Sequence, residues 1–111
     1  MFPPYAKSWA PRFPRVLAEA RGMLEVGPGW LPILEQLFAE LEQLREPPQV
    51  GSVKSKFARL RISHSGANEQ AKQLFAQAER AAAITCERCN SPGATVEVRG
   101  EWSVLCVSHL Q

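Results

Sequence analysis

The stretch that decides the fold lies in the last quarter of the chain, at residues 86–109, which read CERCNSPGATVEVRGEWSVLCVSH. All three cysteines of the chain are in it. Together with a histidine they form two short pairs, Cys86 with Cys89 and Cys106 with His109, in the pattern C-x2-C-x16-C-x2-H. The span between the pairs is long enough for a β-hairpin. Each pair therefore places two donor atoms on one side of a tight loop.

Two ligand pairs flanking a hairpin are the spacing of a zinc ribbon. Four protein ligands leave no coordination position for water, so the predicted Zn²⁺ is structural and not catalytic. Unrelated buried thiols would not pair in this way. An odd number of cysteines, behind an N-terminus unlike a secretory signal, argues against disulfides. We predict a structural Zn²⁺ site with the ligands Cys86, Cys89, Cys106 and His109.

The residues between the pairs support this hairpin. Asn90 can adopt the left-handed backbone conformation that lets the first knuckle curl around an ion. Pro92 and Gly93 then reverse the chain into a strand at 94–99, and Gly100 returns it into a second strand at 101–105. Trp102 is predicted to pack over the metal turn, whereas an exposed Trp102 would indicate a partner interface.

Composition sets broad limits on the class of protein. A chain of 111 residues with 45% hydrophobic residues can bury one small core, which benefits from a metal staple. The net charge of +2 does not by itself indicate a nucleic-acid partner. No apolar run reaches the length of a membrane span, so no membrane association is expected. A free C-x2-C site predicts a reducing compartment, the cytoplasm.

Three helices are predicted upstream of the metal motif. The clearest covers residues 28–45, with Pro32 in its first turn and one apolar stripe formed by Trp30, Ile33, Leu34, Leu37, Phe38, Leu41 and Leu44. A helix starting at residue 13 is suggested by the spacing of Phe13, Val16, Leu17, Ala20 and Leu24. A third begins after the cap residue Asn68 and buries Ala71, Leu74, Phe75, Ala78 and Ala82. Residues 1–12 form an arm anchored by Phe2, Tyr5 and Trp9.

Residues 50–65 have the composition of a strand, but their alternation changes midway. Val53 and Phe57 share one parity, and Leu60 and Ile62 share the other. One irregularity near Ala58, a β-bulge or a tight hairpin, would bring these four residues to the inner face. It would also place the four cations of this stretch together on the outer face: Lys54, Lys56, Arg59 and Arg61.

These four cations, here called the basic quartet, are the best candidate for a contact surface. Closely spaced cations on one strand face can follow a phosphate backbone, and Lys7, Arg12 and Arg15 are candidates to extend the patch. Arg88 and Arg99 are further candidates for nucleic-acid or partner binding. Lysine and arginine also protect edge strands against aggregation, and the pattern alone does not distinguish a binding surface from a protected edge strand.

The sequence offers little for catalysis. It contains no aspartate, and His64 is the only histidine outside the metal set. A zinc deaminase would require a His-x-Glu segment ahead of a Pro-Cys-x-x-Cys motif, and the chain has neither. Cysteines that ligate zinc cannot also act as nucleophiles. We therefore predict a protein that is not an enzyme and has no small-molecule substrate, with His64 as a surface or hydrogen-bonded residue.

Three features taken together resemble a known group of sequences: Gly29-Trp30 opening an amphipathic helix, the strand VKSKFARLRI at 53–62, and the C-x2-C-x2-Pro-Gly…Trp…C-x2-H tail. The resemblance is to small uncharacterised bacteriophage and prophage proteins with a VKxKFGxLRF-like strand and a closing zinc ribbon. It covers roughly residues 27–109, and Ala58 stands where that pattern has glycine. It implies the same four metal ligands and a mobile-element origin, but no established activity.

The expected fold is α+β, with two to three helices on a small antiparallel sheet, closed by a C-terminal zinc-ribbon hairpin. Residues 1–12 would be the arm, 13–84 the core and 85–111 the ribbon segment docked on it. Two functions fit this sequence. One is a zinc-stabilised binding protein that contacts nucleic acid or a nucleoprotein machine through the basic quartet. The other is a phage accessory protein that inhibits or redirects a host protein, a defence or transcription component, by binding it through the acidic helix or the aromatic arm. The sequence leaves the oligomeric state open.

Overall fold

The computed structural model describes residues 9–18 and 23–110, apart from the side chain of Met23, and they fold as α+β. Three helices and five strands occur in the order α1 (Trp9–Arg12), β1 (Met23–Glu25), α2 (Leu31–Glu42), β2 (Gln49–Lys56), β3 (Arg59–Ser65), α3 (Glu69–Ala82), β4 (Ala94–Val98) and β5 (Glu101–Leu105). Short 3₁₀ turns lie at Pro28–Trp30 and Val107–His109. The predicted fold class is confirmed.

The strands form two sheets. In the first, β2 lies between β1 and β3 and is antiparallel to β3, as predicted, but parallel to β1. The parallel pair was not predicted, because a strand as short as β1 has no alternation to detect. In the second sheet, β4 and β5 form the antiparallel hairpin predicted between the two ligand pairs.

The largest fully buried side chains come from α2 and the turn before it. The predicted stripe is buried, with Trp30, Leu34, Phe38 and Leu41 fully enclosed, while Ile33 at its edge is partly exposed. Pro32 lies in the first helical turn, where its missing amide costs no hydrogen bond. The helix therefore begins and ends close to the predicted positions.

The hairpin of β2 and β3 contains the predicted irregularity. Phe57 and Ala58 form a two-residue turn, and both have positive φ, 54° and 62°. This is the pattern of a type I′ turn, which matches strand twist and normally selects asparagine or glycine. The prediction that Phe57 points inward is wrong: its side chain is 66% exposed, because a turn residue does not follow strand alternation.

A second irregularity in this hairpin was not predicted. The register shifts between Val50 and Val53, so that both of these valines face the core despite their different parity. Ser52 bonds to Ser63 across the shift, through its amide N–H at 2.8 Å and its hydroxyl at 2.9 Å. Hence β2 contains a bulge as well as the turn that follows it.

Helix α3 begins at the predicted cap. The Asn68 side chain accepts a hydrogen bond from the Ala71 amide at 2.9 Å. The buried face is narrow, formed by Ala71, Phe75, Ala78 and Ala82, with Leu74 partly buried. Because alanine dominates this face, α3 can lie close to α2 and β3, which it contacts.

The helix predicted from residue 13 is wrong. The helical turn α1 lies before it, at Trp9–Arg12, and residues 13–18 continue only as turns. Pro14 lies beyond the first turn of this helix and removes an amide donor there, which prevents a longer regular helix. Leu24 is buried as expected but lies on β1. The predicted position Ala20 lies outside the described residues.

Of the predicted arm anchors, Trp9 belongs to the core. Its ring meets Phe13 and Phe38 edge-to-face, with centroids 6.5 and 5.5 Å apart. Phe2 and Tyr5 lie outside the described residues. Within the described part of the chain, no helix has the length and apolarity needed to cross a membrane.

Candidate metal centre

The four predicted ligands converge on one point. Cys86 and Cys89 lie on the turn that precedes β4, Cys106 follows the end of β5, and His109 lies in the 3₁₀ turn after it. Their donor atoms all lie within 4.8 Å of one another. Cys86 and Cys106 are buried, whereas Cys89 is exposed. The described residues therefore contain a Cys3His cluster able to hold one metal ion.

The separations within the cluster can be compared with those of a coordination tetrahedron. Cys89 Sγ and Cys106 Sγ are 3.6 Å apart, and His109 Nδ1 lies 3.6 Å from Cys86 Sγ and 3.2 Å from Cys106 Sγ. Metal–ligand bonds of about 2.3 Å to sulfur and about 2.0 Å to nitrogen give tetrahedral edges of about 3.5–3.8 Å. These three separations are close to tetrahedral edges, and Nδ1 is the histidine nitrogen that faces the sulfurs.

Local hydrogen bonds prepare a thiolate at Cys86. Burial opposes ionisation of this thiol, but backbone N–H groups of Cys106, Arg88 and Cys89 donate to its sulfur and lower its pKa to about 6. Burial and the neighbouring Cys89 and Cys86 sulfurs raise the pKa of Cys106. Ionisation of the second thiol in this crowded set therefore benefits from a cation between the sulfurs.

Two backbone features shape the ribbon. Asn90 has φ of 72°, the left-handed conformation predicted for the knuckle. The β4–β5 hairpin turns at Arg99 and Gly100, with φ of 54° and 84°. Asn90 and Gly100 agree with the sequence-based prediction, whereas Arg99, predicted as the last residue of the first strand, lies in the turn.

The metal knuckle contacts the loop GPGW at 27–30. From the sequence this loop is interpreted only as the opening of α2, so its contact with the knuckle is not predicted. The Gly29 amide donates to Glu87 O at 2.7 Å, and Asn90 Nδ2 donates to Gly29 O at 2.8 Å. The Trp30 indole donates to Thr85 O at 2.9 Å. The start of α2 and the ligand loop are therefore directly hydrogen-bonded.

Glycine is required in this loop because the two backbones approach closely. A Cβ on Gly29 would lie 2.1 Å from Cys86 O, and one on Gly27 would lie 2.3 Å from Glu87 O. Real side chains do not tolerate such distances, and here the obstacles are backbone atoms. The two glycines flanking Pro28 were the available sequence signal, but nothing in the sequence named their partner.

Glu87, between the first two ligands, connects the knuckle to the sheet. Its carboxylate accepts hydrogen bonds from the Gly27 amide at 3.0 Å and from the Ser55 hydroxyl at 2.8 Å. Its own amide donates to Val104 O at 2.8 Å, and Val104 is fully buried in the core. Position 87 thus joins the metal loop to β2, β5 and the start of α2.

The basic quartet lies on one face of the β2–β3 hairpin. Lys54 is in register with Arg61, and Lys56 with Arg59, so the four side chains share the face opposite the core. All four are exposed, and within the described residues none forms a salt bridge. Glu25 on β1 lies in register with Lys54 at the edge of this face.

The other predicted cations lie elsewhere. Arg88 and Arg99 are exposed on the ribbon and line a groove of about 530 Å³ that also includes His109. Arg12 is paired with Glu35, and the Arg15 guanidinium donates to the carbonyls of Glu42 and Arg45 at 3.3 and 2.9 Å. These two arginines bind α2 and do not extend the quartet, while Lys7 lies outside the described residues.

The remaining histidine and Trp102 have clear positions. His64 is exposed, and its ring stacks on Phe75 of α3 with centroids 4.1 Å apart and planes within 8°. Trp102 is 47% exposed and lines a groove beside the tip of the β2–β3 hairpin, so the prediction that it packs over the metal turn is wrong.

Comparison of this chain with protein-family models, with curated proteins and with solved structures gives no match. The function is therefore argued from the metal centre and from the surface beside it.

Proposed function

We propose that this protein is a non-enzymatic, zinc-stabilised binding module of phage or mobile-element type, working in the cytoplasm of a bacterial host and contacting nucleic acid or a nucleoprotein machine through its basic quartet. The observation that carries the proposal is the arrangement of four cations in two cross-strand pairs, Lys54 with Arg61 and Lys56 with Arg59. Among the described residues, none of the four forms a salt bridge.

The choice of zinc follows from the donor set. Three thiolates and one imidazole at tetrahedral separations are a common structural set for Zn²⁺, and iron–sulfur clusters use mainly cysteine. Four protein ligands occupy the whole tetrahedron, so the ion stabilises the fold and activates no water. This supports a binding role over a catalytic one.

The dimensions of the basic face suit a polyanion. Successive pairs on a strand are about 6.8 Å apart, since each residue advances by about 3.4 Å. Unpaired cations are free to replace counterions on a phosphate backbone. Each contact steepens the fall of log K with log salt concentration by about 0.9 for duplex DNA and about 0.7 for a single strand. Full use of the quartet would give a logarithmic salt slope of about 3 to 4.

The alternative, inhibition of a host protein through the acidic face of α2 or the aromatic arm, has less free surface to work with. Glu35 and Glu42 of α2 are engaged by Arg12 and Arg15, and the arm residue Trp9 is buried. We therefore place nucleic-acid contact first.

The test is a binding titration by fluorescence anisotropy with labelled oligonucleotides between 50 and 300 mM salt. The double variant K54A/R61A is expected to lower the salt slope by about 1.4 to 1.8, because two contacts are lost. The matched control R45A/K72A removes the same charge from exposed positions away from the hairpin and should leave the slope nearly unchanged. Equal effects of both pairs, or affinity that does not change with salt, would overturn the proposal.

A further inference from the structure

Phe57, at the tip of the hairpin, is a large aromatic side chain in an unfavourable place. It is 66% exposed, and its φ of 54° is a left-handed conformation that is unfavourable for a residue other than glycine. Asparagine or glycine would satisfy the turn better. Because the ring is largely exposed, it adds little to the core. Core packing therefore does not explain why phenylalanine occupies this turn.

A second exposed aromatic residue lines the same groove. Trp102 on β5 is 47% exposed, whereas Trp9 and Trp30 are buried. Phe57 and Trp102 both line a groove of about 630 Å³ between the tip of the hairpin and the ribbon. Two aromatic rings from different sheets are thereby presented to one open space.

The groove is continuous with the basic quartet. Lys56 belongs to both, and its Nζ lies 5.7 Å from the centre of the Phe57 ring. Elsewhere the groove is lined by Glu25, Glu87 and Glu101, of which the Glu87 carboxylate is already bonded to Gly27 and Ser55. Carboxylates repel phosphates but accept hydrogen bonds from the exocyclic amino groups of bases. The charges therefore favour a phosphate backbone along the quartet, with bases directed into the groove.

We infer that the ligand is a single-stranded nucleic acid, whose bases stack on Phe57 and Trp102 while its phosphates follow the basic quartet. This rests on the proposed function and specifies its ligand class. Aromatic side chains beside a basic track are the means by which proteins bind single strands without reading a sequence. In a duplex the bases are already stacked on one another and are not available to these rings.

The experiment compares a single-stranded DNA oligonucleotide with the duplex of the same sequence, using the full-length, zinc-loaded protein. The single strand should bind more tightly than the duplex and should quench Trp102 fluorescence. The variant F57A should weaken single-strand binding by about 5- to 150-fold, the range for losing one stacked base, with an unchanged salt slope. F57Y keeps an aromatic ring and should retain the affinity.

The controls separate this inference from the proposed function. F57A changes an exposed side chain, and its zinc content and melting temperature report whether it is folded. If the wild type binds with the expected salt slope but F57A matches it, or if the duplex binds more tightly, stacking is refuted while the quartet proposal stands. If neither nucleic acid binds, both fall together.

Discussion

Replacing Gly29 with alanine tests whether the metal loop and the start of α2 form one structural unit. The added Cβ would lie 2.1 Å from Cys86 O and 2.7 Å from both Asn90 N and Glu87 C. All three atoms are backbone atoms of the ligand loop, so no flexible side chain can move aside. The loop itself must be displaced.

The cost can be worked from what that displacement breaks. Overpacking of this kind costs about 1–3 kcal/mol. The bonds from Gly29 N to Glu87 O and from Asn90 Nδ2 to Gly29 O would be lost as well, at about 1 kcal/mol each. The free energy of unfolding should therefore fall by about 3–5 kcal/mol. For a domain of this size that lowers the melting temperature by at least about 12 °C.

The assay measures the melting temperature by circular dichroism and the zinc affinity by competition with a chromophoric chelator. Gly29→Ala should lower both, because the displaced loop carries two ligands. Gly66→Ala is the matched control. Gly66 has a φ of 76°, which disfavours any side chain, but an added Cβ would meet nothing within 4 Å. It should cost about 1 kcal/mol and leave zinc affinity unchanged. A Gly29→Ala protein that behaves like the control would refute the coupling.

Three other perturbations have distinct expected outcomes. Cys89→Ser should release the metal and unfold the C-terminal third, as metal analysis and circular dichroism would show, since the binding energy of the ion is folding energy; an unchanged melting curve would contradict this. His64→Ala removes a ring stacked on Phe75 and should cost about 0.5–1.5 kcal/mol in a denaturant titration without altering nucleic-acid binding. Asn68→Ala removes the cap of α3 and should cost about 1 kcal/mol with no change in zinc affinity, whereas a loss of zinc would show that α3 supports the site.

The features predicted correctly are those set by local spacing. The two ligand pairs, the stripe of α2, the Asn68 cap and the turn near Ala58 each depend on residues close together in the chain, and the structure agrees with each.

The features that were missed depend on distant partners. The closeness of Gly29 to the knuckle joins residues about sixty positions apart, and β1 is recognisable only by its pairing with β2. Phe57 was assigned to the core by its alternation with Val53, but the turn it occupies removes it from the strand. Alternation of apolar residues predicts the face on which a side chain lies only as long as the strand continues.

The hydrogen bonds around Glu87 constrain how this chain can evolve. Its main-chain and side-chain atoms bond to residues of β2, β5 and the GPGW loop, so the last quarter of the sequence is not a transferable cassette. Grafting residues 85–110 onto another scaffold would require the loop and Ser55 to travel with them. We expect drift at these distant positions to be correlated, even though only four side chains would touch the ion.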